Sequence, residues 1–390
     1  MSVLANLDYD ELQEELRTLS VDGWLIFDFH GLNPVAKRVI GYSGMASRRL
    51  FVFLMQDGPV AIAHRIELQG IEGFPGEIRP YAAWDELHSH LSQLVKGKRL
   101  AMEVSPEDAV PYLDRVPHGV VQLIEKFGGT VVPSAPLVSK FASKWSRAEL
   151  DDHRYAAETL AEIAKKTLAE VVQEVGTARE AAVQKRVLEA MGKAGLVTKD
   201  APIVGFGPNA ANPHYEPHEG SDRLLEENQV ILLDLWGGRS HQTVFGDQTW
   251  MAFSGNNPPD EVVKVWTVTR DARDAAVKAL ADAHESGRRV SGADLDDAAR
   301  NHIREHGYGE WFVHRTGHSI DVDLHGSGPH LDNFETNDIR EIIPGVGFSV
   351  EPGIYLPDRF GVRSEINVVY HDDGPEVTPK EPQRDLILPV

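Results

Sequence analysis

Residues 311–330 read WFVHRTGHSIDVDLHGSGPH, and this stretch is the starting point for interpreting the whole chain. Imidazole is the commonest side-chain metal ligand and the usual acid–base group near neutral pH. The stretch holds four of the 17 histidines, namely His314, His318, His325 and His330. The alternative is an exposed strand whose histidines have no chemical role. The rest of the chain has to decide whether these histidines form a functional site.

The local pattern of this stretch predicts a half-buried strand, because Ile320, Val322 and Leu324 alternate with polar residues and no helical stripe is present. In a strand His318 and His325 would point to opposite faces. If both serve one site, the chain must bend between them.

Composition excludes several classes of function. A length of 390 residues suggests two domains, and the net charge of −21 argues against nucleic acid as a partner. Cysteine is absent, which excludes disulfides, thiolate zinc sites and a cysteine nucleophile. Neither a secretory signal nor an apolar run long enough to span a membrane is visible. We therefore expect a cytoplasmic protein with no membrane partner.

The chain is predicted to contain two domains. Residues 1–145 have the pattern of an α/β domain and carry no recognisable catalytic constellation. Ser146, with Glu149 three residues later, forms a capping box that begins a long helix. A second domain is therefore expected over residues 146–390.

Four apolar β-type segments in this second domain each carry an isolated acid. Carboxylates are rarely fully buried unless they are paired or bound to metal. A glycine turn joins the first two segments into a hairpin that can bring their acids together, although Asp247 could also face solvent. The four acids are Asp234, Asp247, Glu351 and Glu365.

Two other motifs carry little weight. Residues 205–210, GFGPNA, loosely match a dinucleotide-binding fingerprint, but the nearby prolines predict a loop where that fingerprint needs a helix. His302, Glu305 and His306 fit a zinc-peptidase pattern without a signalled third ligand, so a solvated helix surface is the preferred interpretation.

The four acids and His318 form an oxygen-rich set that suits two divalent cations better than one structural zinc. Four negative ligands balance two dications. A water bridging such ions has a strongly lowered pKa, so hydrolysis is the chemistry that this set predicts.

The motifs that carry these residues resemble the pita-bread metallopeptidases, a family that includes Xaa-Pro dipeptidase (prolidase), aminopeptidase P and methionine aminopeptidase. The resemblance implies an α+β chain, in which a C-terminal pita-bread (creatinase/aminopeptidase-like) catalytic domain follows a smaller α/β domain of the creatinase/prolidase kind. The matching motifs span about residues 144–370 and are Leu233-Asp234, Gly246-Asp247-Gln248-Thr249, His314-x-x-Gly317-His318 with His325, Val350-Glu351-Pro352-Gly353-Ile354-Tyr355 and Val362-Arg363-x-Glu365.

The resemblance also implies roles. Two divalent metal ions per chain are expected, manganese first, with cobalt or zinc as alternatives, and a homodimer is the family's usual assembly. Glu351 would in addition handle the proton of the attacking water. The implied metal ligands are Asp234, Asp247, His318, Glu351 and Glu365.

The histidines outside this ligand set are implied to act on the substrate. His325 would bind the reacting carbonyl, His214 would contact the substrate, and His314 would line the proline pocket. Tyr215, next to His214, is a further candidate for substrate binding.

Within the family we predict an Xaa-Pro dipeptidase, in which an arginine captures the carboxylate of the terminal proline. Arg363 is the first candidate and Arg315 the second, although Arg363 could equally be a structural partner of a ligand carboxylate. The small peptide would be hydrolysed by a metal-bridging water. Alternatives are an Xaa-Pro aminopeptidase acting on longer peptides, a metal-free C–N hydrolase, or a non-catalytic binding protein.

Some positions depart from the family pattern and leave substrate choice open. Asp234 and Asp247 lie 13 residues apart, where the family commonly has 11. Trp250 replaces a frequent arginine, Asp321 a frequent glycine, and Ser364 a frequent apolar residue.

Overall fold

The computed structural model of the chain describes residues 3–389. Contacts divide it into two units, of which the first ends at Ala142 and the second begins at Ser143, while the sequence placed the boundary after residue 145. No helix of residues 3–389 is long and apolar enough to cross a membrane.

The N-terminal unit is built on a six-stranded mixed sheet with the strand order β4-β3-β2-β1-β5-β6. Strands β1 to β3 are antiparallel neighbours, whereas the remaining pairs are parallel. Its elements are α1 (Tyr9–Thr18), β1 (Gly23–Asp28), α2 (Pro34–Ile40), β2 (Leu50–Met55), β3 (Gly58–His64), β4 (Glu77–Tyr81), α3 (Trp84–Val95), β5 (Arg99–Met102), α4 (His118–Lys126), β6 (Thr130–Pro133) and α5 (Ala135–Phe141).

The C-terminal unit contains two pairs of helices and three small antiparallel sheets, ordered β7-β8-β9, β10-β13-β14 and β11-β12. Its elements are α6 (Arg147–Val171), α7 (Glu180–Lys193), β7 (Ile203–Phe206), β8 (Val230–Gly237), β9 (Gly246–Phe253), α8 (Asp260–Ser286), α9 (Gly292–Glu305), β10 (Gly347–Val350), β11 (Gly353–Leu356), β12 (Phe360–Arg363), β13 (Ile366–His371) and β14 (Gly374–Thr378).

Each helix pair covers one sheet with its apolar face. Leu160 and Leu168 of α6 and Val187 of α7 pack with Leu233 of β8 in one buried cluster. Helices α8 and α9 pack in the same way with β10 and β13 in a second cluster. The predicted capping box is confirmed, because the Ser146 side chain accepts from the backbone N–H of Glu149 at the start of α6. The mixed α and β content agrees with the predicted fold class.

The predicted hairpin is confirmed. Strands β8 and β9 pair antiparallel, with Asp234 opposite Thr249 and Trp236 opposite Asp247. Because strand side chains alternate, Asp234, Thr249 and Asp247 project from the same face of this hairpin. The eight connecting residues, 238–245, follow Gly237 at the end of β8, and we refer to them as the extended turn.

Two local predictions were wrong. Residues 312–330 form no strand and make only isolated bridges, such as Gly317 to Leu331 and Ser319 to Phe348. The apolar residues that alternate with polar ones in this segment belong to a folded loop instead. In this loop Ile320 is buried and Leu324 is half-buried. Residues 205–210, predicted as a loop, instead include the end of β7 and most of a short 3-10 turn, Gly207–Ala211.

Candidate metal centre

The isolated acids and His318 converge in the C-terminal unit. Three of them, Asp247, His318 and Glu365, place potential ligand atoms within 4.8 Å of one another. Asp247 lies on β9 and Glu365 in the break between β12 and β13, so only the tertiary structure joins them. All three side chains are buried, which makes this the centre of the candidate site.

His318 links this group to Glu351. Its Nε2 lies 3.3 Å from Asp247 Oδ2 and 3.3 Å from Glu351 Oε1. Its Nδ1 lies 3.1 Å from the carbonyl oxygen of Ser319, which can only accept a hydrogen bond. The proton of the neutral ring therefore sits on Nδ1, and the lone pair of Nε2 faces the carboxylates, as a metal ligand requires.

Hydrogen bonds through Thr249 and Arg363 connect Asp234 with Glu365. The Thr249 hydroxyl lies 3.0 Å from Asp234 Oδ1 and 2.7 Å from Glu365 Oε2. Arg363 donates through Nε to Thr249 at 2.7 Å and through Nη2 to Asp234. The Arg363 guanidinium is thus buried against the Asp234 carboxylate, which favours the structural-partner alternative over the capture of a substrate carboxylate.

The buried carboxylates of this cluster repel one another, and a bound cation would relieve that repulsion. Burial raises the pKa of Asp234 to about 6, and nearby carboxylates contribute to this shift. The pKa values of Asp247 and Glu365 are raised as well, chiefly by burial and then by neighbouring carboxylates. Glu365 Oε1 is buried without a hydrogen-bond partner. Buried like charges and an unsatisfied carboxylate oxygen fit divalent metal ions, which the four acids and His318 would hold.

Glu351 differs from the other three acids. Burial raises its pKa, but His318 and Arg363 outweigh this effect and hold the pKa at about 2. Its side chain is 13% exposed, against 5% for Asp247. Glu351 is therefore ionised at neutral pH, as an acceptor of the water's proton must be, although so low a pKa makes it a weak base.

Metal binding is expected to strengthen as pH rises. The pKa of Asp234 is raised from 3.8 to about 6 in the folded protein. The metal-free fold therefore holds a proton that the unfolded chain releases, so its stability falls as pH rises through this window. Metal must displace that proton. Mn²⁺ should accordingly raise the melting temperature more at pH 7.5 than at pH 5.5, as calorimetry can measure. An equal increase at both pH values would contradict this.

Several buried polar residues that support the ligands carry little signal in the sequence. The Ser349 hydroxyl donates to Glu351 Oε1 at 3.0 Å and accepts from the backbone N–H of His318 at 2.9 Å. The Asn367 side chain bonds to both the N–H and the carbonyl of Asp247. Thr249, in contrast, could have been found by its strand parity with Asp247. Such partners orient the ligands.

The other three histidines of residues 311–330 are His314, His325 and His330, and each has defined contacts. The chain bends after Ile320. The ring centroids of His318 and His325 lie 4.4 Å apart, with the two rings nearly perpendicular. The bend needed to bring both histidines together is therefore present. His314 donates through Nδ1 to the carbonyl of Arg315 and accepts through Nε2 from the Tyr355 hydroxyl at 2.8 Å. His330 is buried, and its Nδ1 accepts from the backbone N–H of Ser319 at 3.2 Å.

His214 and Tyr215 lie on one loop but face different surroundings. His214 is exposed and is among the charges that lower the pKa of His325, after burial, His318 and Arg315. The Tyr215 hydroxyl donates to buried Glu180 at 2.7 Å. Its hydroxyl is thus engaged with Glu180, which argues against the predicted contact between Tyr215 and a substrate.

Two of the unusual residues point away from the site. Trp250 and Gln248 bond to each other on the opposite face of β9 from Asp247. The Ser364 hydroxyl accepts from buried Arg273 at 3.0 Å. Neither residue can set substrate choice by contact.

Comparison with known proteins bears on the family of the chain. The model of metallopeptidase family M24 matches residues 152–372. A probable dipeptidase PepE of Mycobacterium bovis is 28% identical over 338 residues, covering 85% of this chain and 83% of that protein. A Xaa-Pro dipeptidase of Lactobacillus delbrueckii is 36% identical over 188 residues, 48% of this chain and 47% of that protein. The crystal structure of dipeptidase PepE from Mycobacterium ulcerans covers 99% of this chain and 100% of that one, with a TM-score of 0.74 and 24% identity.

Proposed function

The chain belongs to metallopeptidase family M24, and from this premise we propose that it hydrolyses the Xaa-Pro bond of dipeptides with two divalent metal ions, manganese first. The observation that carries the proposal is the buried convergence of Asp247, His318 and Glu365. The full ligand set argues against a metal-free hydrolase or a non-catalytic scaffold. The dipeptidase names of the relatives support the choice of substrate.

The metal ions would be held by the four acids and His318, and they would supply an activated water and polarise the scissile carbonyl. Glu351, ionised and partly accessible, takes the proton that the water loses on attacking the carbonyl carbon. It then delivers that proton to the departing proline nitrogen, so that the C–N bond breaks and a free amino acid and proline leave. The ring of His325, beside His318, donates to the oxyanion that develops on the carbonyl oxygen.

The substrate carboxylate is assigned to Arg315 rather than to Arg363. The charge of Arg315 is close enough to contribute to the lowered pKa values of both His318 and Glu351, after burial and nearer charges. Arg315 is half-buried and follows His314 directly in the chain. It is therefore at the edge of the site, where a planar guanidinium can pair with a proline carboxylate.

Two substrates test the proposed function directly. The manganese-loaded protein should cleave Leu-Pro and leave Leu-Pro-Gly largely intact, because the tripeptide carries no carboxylate on its proline. Product release is followed by chromatography, with a chelator-treated sample as the control. Cleavage of the tripeptide alone would favour the aminopeptidase alternative, and cleavage of neither would contradict the proposal.

A further inference from the structure

The loop of residues 319–328, which we call the histidine loop, carries His325 and is closed by its own side chains. The backbone N–H of Gly326 donates to the carbonyl of Ser319 at 2.7 Å. The Asp321 carboxylate accepts from the backbone N–H groups of Asp323 at 2.6 Å and Ser327 at 3.3 Å. These two donors lie on either side of His325 in the chain, so Asp321 bridges the segment that carries that histidine.

The glycines of the histidine loop make room for this bridge. A Cβ atom on Gly326 would lie 2.8 Å from Asp321 Oδ2 and 2.9 Å from Ser319 Oγ. A Cβ atom on Gly328 would lie 2.5 Å from the same Ser319 hydroxyl, which accepts from the Gly328 N–H at 3.0 Å. The backbone is thus packed against the Asp321 and Ser319 side chains, as a loop with one fixed shape requires.

Neighbouring segments fix the loop from outside. Arg340 donates to the carbonyl oxygens of Ser327 and Gly328, each at 2.6 Å. Lys199 pairs with Asp323 at 2.6 Å. The C-terminal end and the middle of the histidine loop are therefore tied to other parts of the C-terminal unit.

The extended turn packs apolar side chains against the histidine loop. Its last residues, Val244 and Phe245, form a buried cluster with Ile320, and Leu324 packs against it. The backbone N–H of Phe245 also donates to the carbonyl of Asp321 at 3.4 Å. The long spacing between Asp234 and Asp247 thus has a structural consequence, because the extended turn contacts the loop that carries His325.

From these contacts we propose that Asp321 is a positioning residue for His325: its carboxylate, supported by the extended turn, fixes the orientation in which the imidazole meets the substrate carbonyl. The inference rests on the proposed function of His325. Holding a donor in place before the reaction removes the cost of ordering it during the reaction, and a displacement of about 1 Å can cost roughly 100-fold in rate.

The test compares Asp321→Ala, which removes both acceptors, with Asp321→Asn, which keeps the oxygen that faces Asp323. Asp321→Ala should lower kcat for Leu-Pro by roughly 10- to 100-fold with little change in KM or bound manganese. Asp321→Asn should recover only part of this loss, because its amide nitrogen would face the N–H of Ser327, which needs an acceptor. The exposed Asp372 provides a matched control through Asp372→Ala. Retention of full kcat by Asp321→Ala would overturn the proposal.

A double-mutant cycle with His325→Ala separates positioning from general destabilisation. Once His325 is absent, Asp321→Ala should cause no further loss of kcat. A loss of the same size in both backgrounds, or a parallel fall in bound manganese, would show a merely structural role. Full activity of His325→Ala would overturn both the role of His325 and this inference.

Nuclear magnetic resonance of ¹⁵N-labelled histidine tests the loop without relying on the reaction. In Asp321→Ala the His325 signal should shift or broaden, whereas His284, which contacts the Tyr370 hydroxyl through Nδ1 at 3.0 Å, should keep its signal. If the wild-type protein left Leu-Pro intact, the proposed function would fail while this spectrum still decided the positioning. An unchanged His325 signal would refute the inference.

Discussion

Glu365→Gln is expected to lower kcat/KM for Leu-Pro by at least about 100-fold, since even outer partners of metal ligands typically contribute 10- to 100-fold. Glu365 is 4% exposed, and its Oε1 atom has no hydrogen-bond partner. The amide has nearly the same shape but lacks the negative charge that would bind a cation. The loss should therefore come with bound manganese falling from two ions per chain toward one.

Metal content by elemental analysis and initial rates on Leu-Pro measure the two effects together. Glu285→Gln makes the same chemical change on an exposed position of α8 and is the control. Unchanged metal content and activity in Glu365→Gln would remove this residue from the ligand set and would weaken the two-metal proposal.

Arg363→Ala is expected to destabilise the protein by about 3–5 kcal/mol, the usual cost of removing one partner from a buried ion pair. Arg363 is 3% exposed and contacts both Asp234 and Thr249. Urea unfolding of the metal-free protein gives the change in free energy of unfolding. Arg363→Lys should recover little of it, because a single ammonium cannot make both contacts.

Substrates with and without a terminal charge distinguish the two arginines. If Arg315 captures the carboxylate, Arg315→Ala should abolish the preference for Leu-Pro over its C-terminal amide. Arg363→Ala should keep that preference while its kcat falls. Loss of the preference in Arg363→Ala alone would restore Arg363 as the clamp.

The family and much of the fold could be predicted from the sequence, because periodicity and short motifs are local properties. The hairpin that carries Asp234 and Asp247 follows from two apolar runs and a glycine turn, and both strands are present. The membership in family M24 confirms the resemblance carried by the ligand motifs. The predicted proximity of His318 and His325 is present, with ring centroids 4.4 Å apart, but it arises in a folded loop rather than across a bent strand.

Only the tertiary structure decided how these residues act on one another. The strand predicted around Ile320 was wrong because side-chain hydrogen bonds of Asp321 and Ser319 fold the segment into a loop, which outweighs β propensity. The partner of Arg363 was undecidable in sequence, because its contact Asp234 lies 129 residues away. Local chemistry therefore identified the candidate residues, whereas long-range packing and burial determined which of them come into contact.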